Sequence, residues 1–143
     1  MRKFSGSDFE ITVGEAYRDE STYAFTFAAG SGLRPSVVVK TVRVGEGVEL
    51  AEFAGERLAE IREALPGVEL VRDGASRQGE WAAHETVYEF GDERRRLRQM
   101  QRYLLLEAPL RVVTLTATAA QEAFPYTEAL FEAVFASYRV RQS

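Results

Sequence analysis

Residues 94–106 read RRRLRQMQRYLLL, and the way this stretch divides between two faces decides how the chain folds. Successive side chains of a β-strand point to opposite faces of the sheet, so alternate positions form two sets. One set holds Leu97, Gln99, Gln101, Tyr103 and Leu105, and the other holds Met100, Leu104 and Leu106. The stretch therefore predicts a strand that is apolar on both faces at its end and carries two glutamines within one apolar face.

Further strands and two helices are predicted on either side of this stretch. Two-residue alternation or short apolar runs mark DFEITV, STYAFTF and SVVVKTVRV before the first helix, and VELVRDGAS, EWAAHETVYEF and LRVVTLTAT after it. The first helix, VELAEFAGERLAEIREALPG, has an apolar stripe of Leu50, Phe53, Leu58, Ile61 and Leu65. We assign Leu58 and Ile61 to the core rather than to the border of an open groove. The closing segment, AFPYTEALFEAVFASYRV, predicts a second helix with a wide aromatic face.

The order of these segments predicts the fold class. Strands grouped between helices, rather than alternating with them, favour an α+β fold with a largely antiparallel sheet of six to seven strands. Two main helices cannot cover both faces of such a sheet. We therefore expect residues 1–143 to form a single domain in which part of one sheet face stays open or is covered by something else.

Composition and charge narrow the functional classes. The chain has no cysteine, which excludes a disulfide framework and thiolate ligands, and its net charge of −4 argues against nucleic-acid binding. No run approaches the roughly 18 apolar residues that a membrane-spanning helix needs. The N-terminal MRKFSGSDFEITV has a basic start without a following apolar core, so we predict no signal peptide and a cytoplasmic protein.

Catalytic and metal-binding patterns are weak. His84 is the single histidine, and its neighbour Glu85 points to the other face of a strand, so Glu85 cannot orient it. No G-x-S-x-G motif is present. The sequence does not exclude a pair of catalytic carboxylates of the kind used in glycoside hydrolysis, although most acidic residues fall on solvated helix faces or in turns. We predict a structural or surface role for His84, no enzyme activity, no cofactor and no metal site.

The arginines of residues 94–102 allow two interpretations. Arg94, Arg96, Arg98 and Arg102 share one face of the predicted strand, as a nucleic-acid stripe would. The aromatic residues that usually interleave with such a stripe are missing from that face. We therefore predict that these arginines either pair with glutamates on a solvated sheet face or form a charged rim that hinders edge pairing.

The glutamine-bearing face also allows two interpretations from its residues alone. In one, Leu97, Tyr103 and Leu105 pack under a helix while the glutamines lie at an exposed margin. In the other, this face joins an apolar set from earlier strands into one concave surface for a partner, since large exposed apolar patches usually mark partner sites. That set consists of Tyr23, Phe25, Val37 and Val39.

The order of these motifs resembles the DcrB-like proteins, whose secretion-linked branch comprises the Eag chaperones of type VI secretion effectors. The resemblance rests on segments spread over nearly the whole chain. They are EAYRDES (15–21), PSVVVKTVRV (35–44), LAEFAGERLAEI (50–61), LVRDGASRQGEWAAHETVYEF (70–90), RLRQMQRYLLLE (96–107), VVTLTATA (112–119) and the closing YTEALFEAVFASYRV.

This resemblance implies a PsbP-like fold and a homodimer whose sheets cradle the N-terminal transmembrane helices of an effector before export. An exposed membrane helix presents on the order of 1,000 Å² of apolar surface, a gross penalty of tens of kcal/mol at about 25 cal/mol per Å². Glutamines can replace the polar side chains that join membrane helices to each other. The resemblance assigns partner binding to Tyr23, Phe25, Val37, Val39, Leu97, Gln99 and Gln101. The alternative is a small-ligand or lipid-binding module of the same fold.

Overall fold

A computed structural model describes the backbone of residues 2–5, 9–13, 17–21, 24–27 and 35–140, and the side chains of residues 35–140. Its elements, in chain order, are β1 (Arg2–Ser5), β2 (Phe9–Val13), β3 (Tyr17–Ser21), β4 (Ala24–Phe27), β5 (Ser36–Arg43), α1 (Leu50–Ala64), β6 (Glu69–Gln78), β7 (Trp81–Gly91), β8 (Arg96–Leu106), β9 (Arg111–Ala120), α2 (Phe124–Ala136) and β10 (Arg139–Val140).

These described elements form two sheets and two helices. The main sheet has seven strands in the order β3-β4-β5-β9-β8-β7-β6, and every neighbouring pair is antiparallel. Side chains are described for β5 to β9 of this sheet. The predicted α+β class with a largely antiparallel sheet is confirmed. The segment DFEITV lies outside the main sheet, because β2 pairs with β1 and β10 in a separate three-stranded sheet.

The two faces of the main sheet carry different helices. Residues directly opposite each other on antiparallel strands share a face, so one row across the sheet runs Val38, Thr116, Gln101, Thr86 and Asp73. This face packs against α1 through Leu50 and Ala54, which contact Tyr103 and Val112, and we call it the α1 face. The opposite α2 face holds the larger core.

The α2 face corrects the sequence analysis at Val37 and Val39. Both valines are buried, 0% and 2% exposed, in one cluster with Phe131 and Phe135 of α2. The register explains this burial, because Val37 lies opposite Ala117 and Val39 opposite Leu115, whereas the glutamines lie opposite Thr118 and Thr116. The prediction that Val37 and Val39 share a surface with Gln99 and Gln101 was wrong.

The end of α1 is anchored to the β7–β8 hairpin. Leu65 is extended, as expected for a residue before a proline, and so ends the helix. Gly67 has φ +61°, and a Cβ there would lie 2.7 Å from the carbonyl oxygen of Gly91. Arg96 donates to both Gly91 O (2.9 Å) and Gly67 O (3.0 Å), and Gly91 N donates to Pro66 O (2.9 Å). These contacts set where the second half of α1 lies above the sheet.

Candidate functional site

A groove separates the second half of α1 from the α1 face of the sheet. Its volume is about 480 Å³. On the helical side, Ile61, Ala64 and Leu65 form an apolar wall, and the charged Arg57 and Glu60 lie beside it. Ile61 is half-buried at this wall, so its assignment to the core was wrong. The groove exists because the first half of α1 packs tightly through Leu50 and Ala54, whereas the second half does not join that cluster.

The floor of the groove is uncharged but rich in hydrogen-bonding groups. Strand β9 supplies Thr114 and Thr116, β8 supplies Gln99 and Gln101, and β5 supplies Val38, which is 39% exposed. Within residues 35–140, neither threonine hydroxyl and neither glutamine Nε2 makes a hydrogen bond. The groove therefore presents polar groups that have no protein partner within residues 35–140, beside an apolar wall. It carries more hydrogen-bonding groups than the apolar, glutamine-bearing surface expected from the sequence, because the β9 threonines share its floor.

Two buried tyrosines complete the floor. The Tyr88 hydroxyl donates to Gln99 Oε1 across the β7–β8 pair, and the Tyr103 hydroxyl donates to Gln101 Oε1 along β8. Each tyrosine is 1% exposed. Burial raises the pKa of each hydroxyl above the ordinary value for tyrosine. Both phenols are therefore neutral donors at physiological pH.

Charged groups lie along the α1 and β5 sides of the groove. Arg57 of α1 lies over the Phe53 ring, 5.3 Å from its centroid, and pairs with Glu60 at 3.3 Å. Lys40 of β5 is exposed beside Thr114, at the β5 margin of the floor. An apolar guest can therefore contact the uncharged wall and floor while these charges stay in water.

The structure separates the residues to which the sequence assigned partner binding. Gln99 and Gln101 lie together in the groove floor. Leu97 is half-buried on the same face, opposite Phe90 and Ala120, and is outside the groove lining. Tyr23 lies outside the described residues, and for Phe25 only the backbone is described, opposite Val37.

Several groove residues were missed by the sequence analysis. Val38 faces the groove in place of Val37 and Val39, but three successive valines carry no parity signal of their own. Tyr88 and Thr116 were missed because their approach to the glutamines depends on strand register. The alternation of Thr114 and Thr116 with buried Val113 and Leu115 was a usable signal for an open polar face.

His84 has a partner that its sequence neighbours do not indicate. Its Nε2 lies 2.8 Å from Asp73 Oδ1, and the Thr86 hydroxyl donates to the same oxygen at 2.8 Å. Burial raises the pKa of Asp73, but the hydrogen bonds from His84 and Thr86 outweigh it and hold that pKa below its ordinary value. The three side chains join β6 to β7 on the α1 face.

The arginines of β8 pair with glutamates, as predicted, but at the α2 face. Arg98 contacts Glu89 at 2.5 Å, and Arg102 contacts Glu85 at 2.7 Å, with both arginine side chains largely buried. Arg98 and Arg102 also lie over the rings of Phe124 and Phe135 of α2. Their face is therefore covered by a helix rather than solvated.

In the described part of the chain, neither helix combines the length and apolarity needed to cross a bilayer.

Comparison with known proteins identifies a family and a fold. The DcrB family model matches residues 9–137. The structure is similar to LpqN of Mycobacterium tuberculosis, described as involved in cell envelope biogenesis, with TM-score 0.75 and 13% identity over 96% of this chain and 86% of LpqN. A search of curated proteins finds no match.

Two further solved structures have the same architecture. PA94 of Pseudomonas aeruginosa, described as a protein of unknown function, has TM-score 0.71 and 20% identity over 94% of this chain and 92% of PA94. CyanoP, the PsbP of Synechocystis sp. PCC 6803, has TM-score 0.67 and 14% identity over 98% of this chain and 92% of CyanoP. These likenesses confirm the predicted PsbP-like fold, and at such identities they show the fold alone.

Proposed function

The chain belongs to the DcrB family, and on this premise we propose that it is a non-catalytic cytoplasmic adaptor for a type VI secretion effector. In this proposal the groove between α1 and the sheet binds the effector's N-terminal transmembrane segments before export. The groove itself carries the proposal, because it combines an apolar wall of Ile61, Ala64 and Leu65 with an uncharged hydrogen-bonding floor. That combination suits a membrane helix, whose surface is apolar with occasional polar side chains.

The size of the groove sets how a helix would bind. An α-helix with its side chains is about 10–12 Å across, so a groove of about 480 Å³ takes side chains from one face of a helix rather than the whole helix. The rest of the guest surface needs another cover. A second protomer that brings its own groove supplies such a cover, which favours a homodimer.

Strand β6 offers an edge for this homodimer. Among the described strands it pairs with β7 alone, so its other edge presents ten residues of backbone that are free of strand partners. Such an edge readily pairs with another chain. Size-exclusion chromatography with light scattering should give twice the 16.0 kDa chain mass at micromolar concentration. A single-chain mass under those conditions would contradict the dimer.

Co-expression tests the groove assignment. The chain is tagged, co-expressed with an effector that bears N-terminal apolar segments, and the recovered soluble effector is measured. Val38→Asp and Gln101→Glu each place a charge in the floor and should abolish recovery. Thr41→Asp is the matched control, since Thr41 is exposed on the same strand but has the opposite parity. If both groove variants recover as much effector as this control, the groove assignment is wrong.

A lipid-binding module is the second candidate, favoured by the size of the groove. A volume of about 480 Å³ lies within the roughly 300–1,000 Å³ of typical small-ligand sites. An acyl chain would contact the apolar wall while its polar head meets Lys40 or Arg57 at the rim. The description of LpqN as involved in cell envelope biogenesis agrees with an envelope-derived ligand. Native mass spectrometry of protein purified without an effector would detect a bound lipid and favour this candidate.

A further inference from the structure

The buried tyrosines determine which way the two glutamine amides point. A phenol hydrogen without an acceptor is costly when buried, so each hydroxyl must donate. Within residues 35–140, the Tyr88 hydroxyl donates to Gln99 Oε1 and the Tyr103 hydroxyl donates to Gln101 Oε1. An amide NH₂ cannot accept that hydrogen. Each glutamine therefore turns its oxygen to its tyrosine, which leaves the Nε2 donors available to the groove.

We propose that Tyr88 and Tyr103 are specificity-determining positioning residues. By holding the two glutamine oxygens, they leave the Nε2 groups of Gln99 and Gln101 as a pair of hydrogen-bond donors that face the groove. The partner that fits is an apolar helix carrying hydrogen-bond acceptors on one face. This inference rests on the proposed function and goes beyond it, because it states which polar groups the guest must carry and which residues of the chain select them.

Packing holds both tyrosines in place. The Tyr103 ring meets Phe53 of α1 edge-on, with centroids 5.6 Å apart, and the Tyr88 ring lies 6.2 Å from Phe90. Their hydroxyls stay protonated at physiological pH because burial raises the pKa of both. The orientation of the amides is thus set before a guest arrives, which reduces the ordering cost of binding.

The spacing of the donors specifies the guest further. Gln99 and Gln101 are two residues apart on one face of β8, about 6.6–6.8 Å along the strand. Residues four apart in an α-helix are separated by about 6 Å along its axis. A guest helix that runs along β8 with acceptors at positions i and i+4 therefore matches both amides. Thr114 and Thr116 on the adjacent strand extend this polar track.

Two synthetic guest helices test whether the groove prefers a guest that carries hydrogen-bond acceptors. Both are lysine-flanked helices of leucine and alanine that differ at two positions four residues apart. One carries O-methylserine there, whose ether oxygen accepts but cannot donate, and the other carries norvaline, which has the same shape without an acceptor. Dissociation constants are measured by fluorescence anisotropy for the full-length chain. The parent should bind the O-methylserine guest about tenfold more tightly, the effect of two modest hydrogen bonds.

The tyrosine variant tests positioning. In the double variant Tyr88→Phe and Tyr103→Phe the amides are free to turn, so the preference should fall to about threefold or less while affinity for the norvaline guest is retained. In the parent, the Nε2 protons of Gln99 and Gln101 should shift in NMR spectra with the O-methylserine guest and not with norvaline. This second readout does not depend on the variant folding.

The outcomes separate this inference from the proposed function. If both guests bind the parent equally, or the tyrosine variant keeps the full preference, donor positioning is overturned while the groove function stands. Absence of amide shifts with the O-methylserine guest also overturns it. If neither guest binds the parent, the proposed function itself fails, and this inference fails with it.

Discussion

Arg102 of β8 and Glu132 of α2 form an ion pair, Nη2 to Oε1 2.6 Å, on the sheet face directly behind the groove. Arg102 also contacts Glu85 at 2.7 Å and lies over the Phe135 ring. Its sequence neighbours Gln101 and Tyr103 point the other way, into the groove. One strand thus joins a helix on one face and forms the floor of the groove on the other.

Loss of Arg102 should destabilise the fold. Its side chain is 12% exposed, but its partner Glu132 is 43% exposed and Glu85 keeps its pair with Arg72. Removing Arg102 should therefore cost about 1–2 kcal/mol, less than the loss of one partner from a fully buried pair. Urea unfolding of Arg102→Met should show a loss of about that size. The control is Arg94→Met at an exposed position, where surface substitutions change the free energy of unfolding by about 0.5 kcal/mol or less. Equal effects of the two substitutions would contradict the role of the pair.

The free energy of unfolding should fall at low pH, in part because Glu85 becomes protonated. Burial raises the pKa of Glu85, but hydrogen bonds from Arg72 and Arg102 outweigh it, so its folded pKa lies below its ordinary value. A depressed carboxyl pKa adds stability that is fully present above the unfolded value of about 4.3 and is lost as pH falls through the folded pKa. The free energy of unfolding from urea titrations should therefore be level between about pH 7 and 5 and fall below about pH 4. Glu85→Gln should reduce the slope of the free energy of unfolding against pH in this acidic range. An unchanged slope would mean that other carboxyl groups cause the loss of stability.

The groove tyrosines should resist ionisation. Burial raises the pKa of Tyr88 and Tyr103, so neither should ionise where ordinary tyrosines do, near pH 10. Absorbance at 295 nm follows phenolate formation in the folded protein. The double variant Tyr88→Phe and Tyr103→Phe should show the same absorbance change between about pH 9 and 11 as the parent. A smaller change in the variant would mean that these hydroxyls are accessible.

Two glycines should respond oppositely to alanine. Gly67 has φ +61° and would place a Cβ 2.7 Å from Gly91 O, so Gly67→Ala should destabilise the fold by about 1–3 kcal/mol. Gly55 lies within α1, and a Cβ there meets nothing within 4 Å among the described residues. Gly55→Ala should therefore stabilise by about 0.5–1 kcal/mol through helix propensity. Thermal unfolding followed by circular dichroism compares the two, and a stabilising Gly67→Ala would contradict the close approach of α1 to the hairpin.

Local patterns in the sequence predicted both helices and seven of the ten described strands, and missed the short β1, β3 and β10. The apolar stripe predicted α1, Pro66 predicted its end, and the aromatic face predicted α2. The parity of residues 97–105 correctly placed both glutamines on one sheet face with Tyr103. These signals are readable because helix and strand periods act between residues close in the chain.

The sequence by itself determined the α+β class, the presence of both helices and the glutamine-bearing face, since each depends on neighbours within a few positions. Only the tertiary structure decided that Val38 rather than Val37 shares that face, and that Tyr88 reaches Gln99. Both facts depend on the pairing of distant strands, where a shift of one residue moves every side chain to the opposite face. Three consecutive valines suit either register, so the choice came from burial of Val37 and Val39 beneath α2.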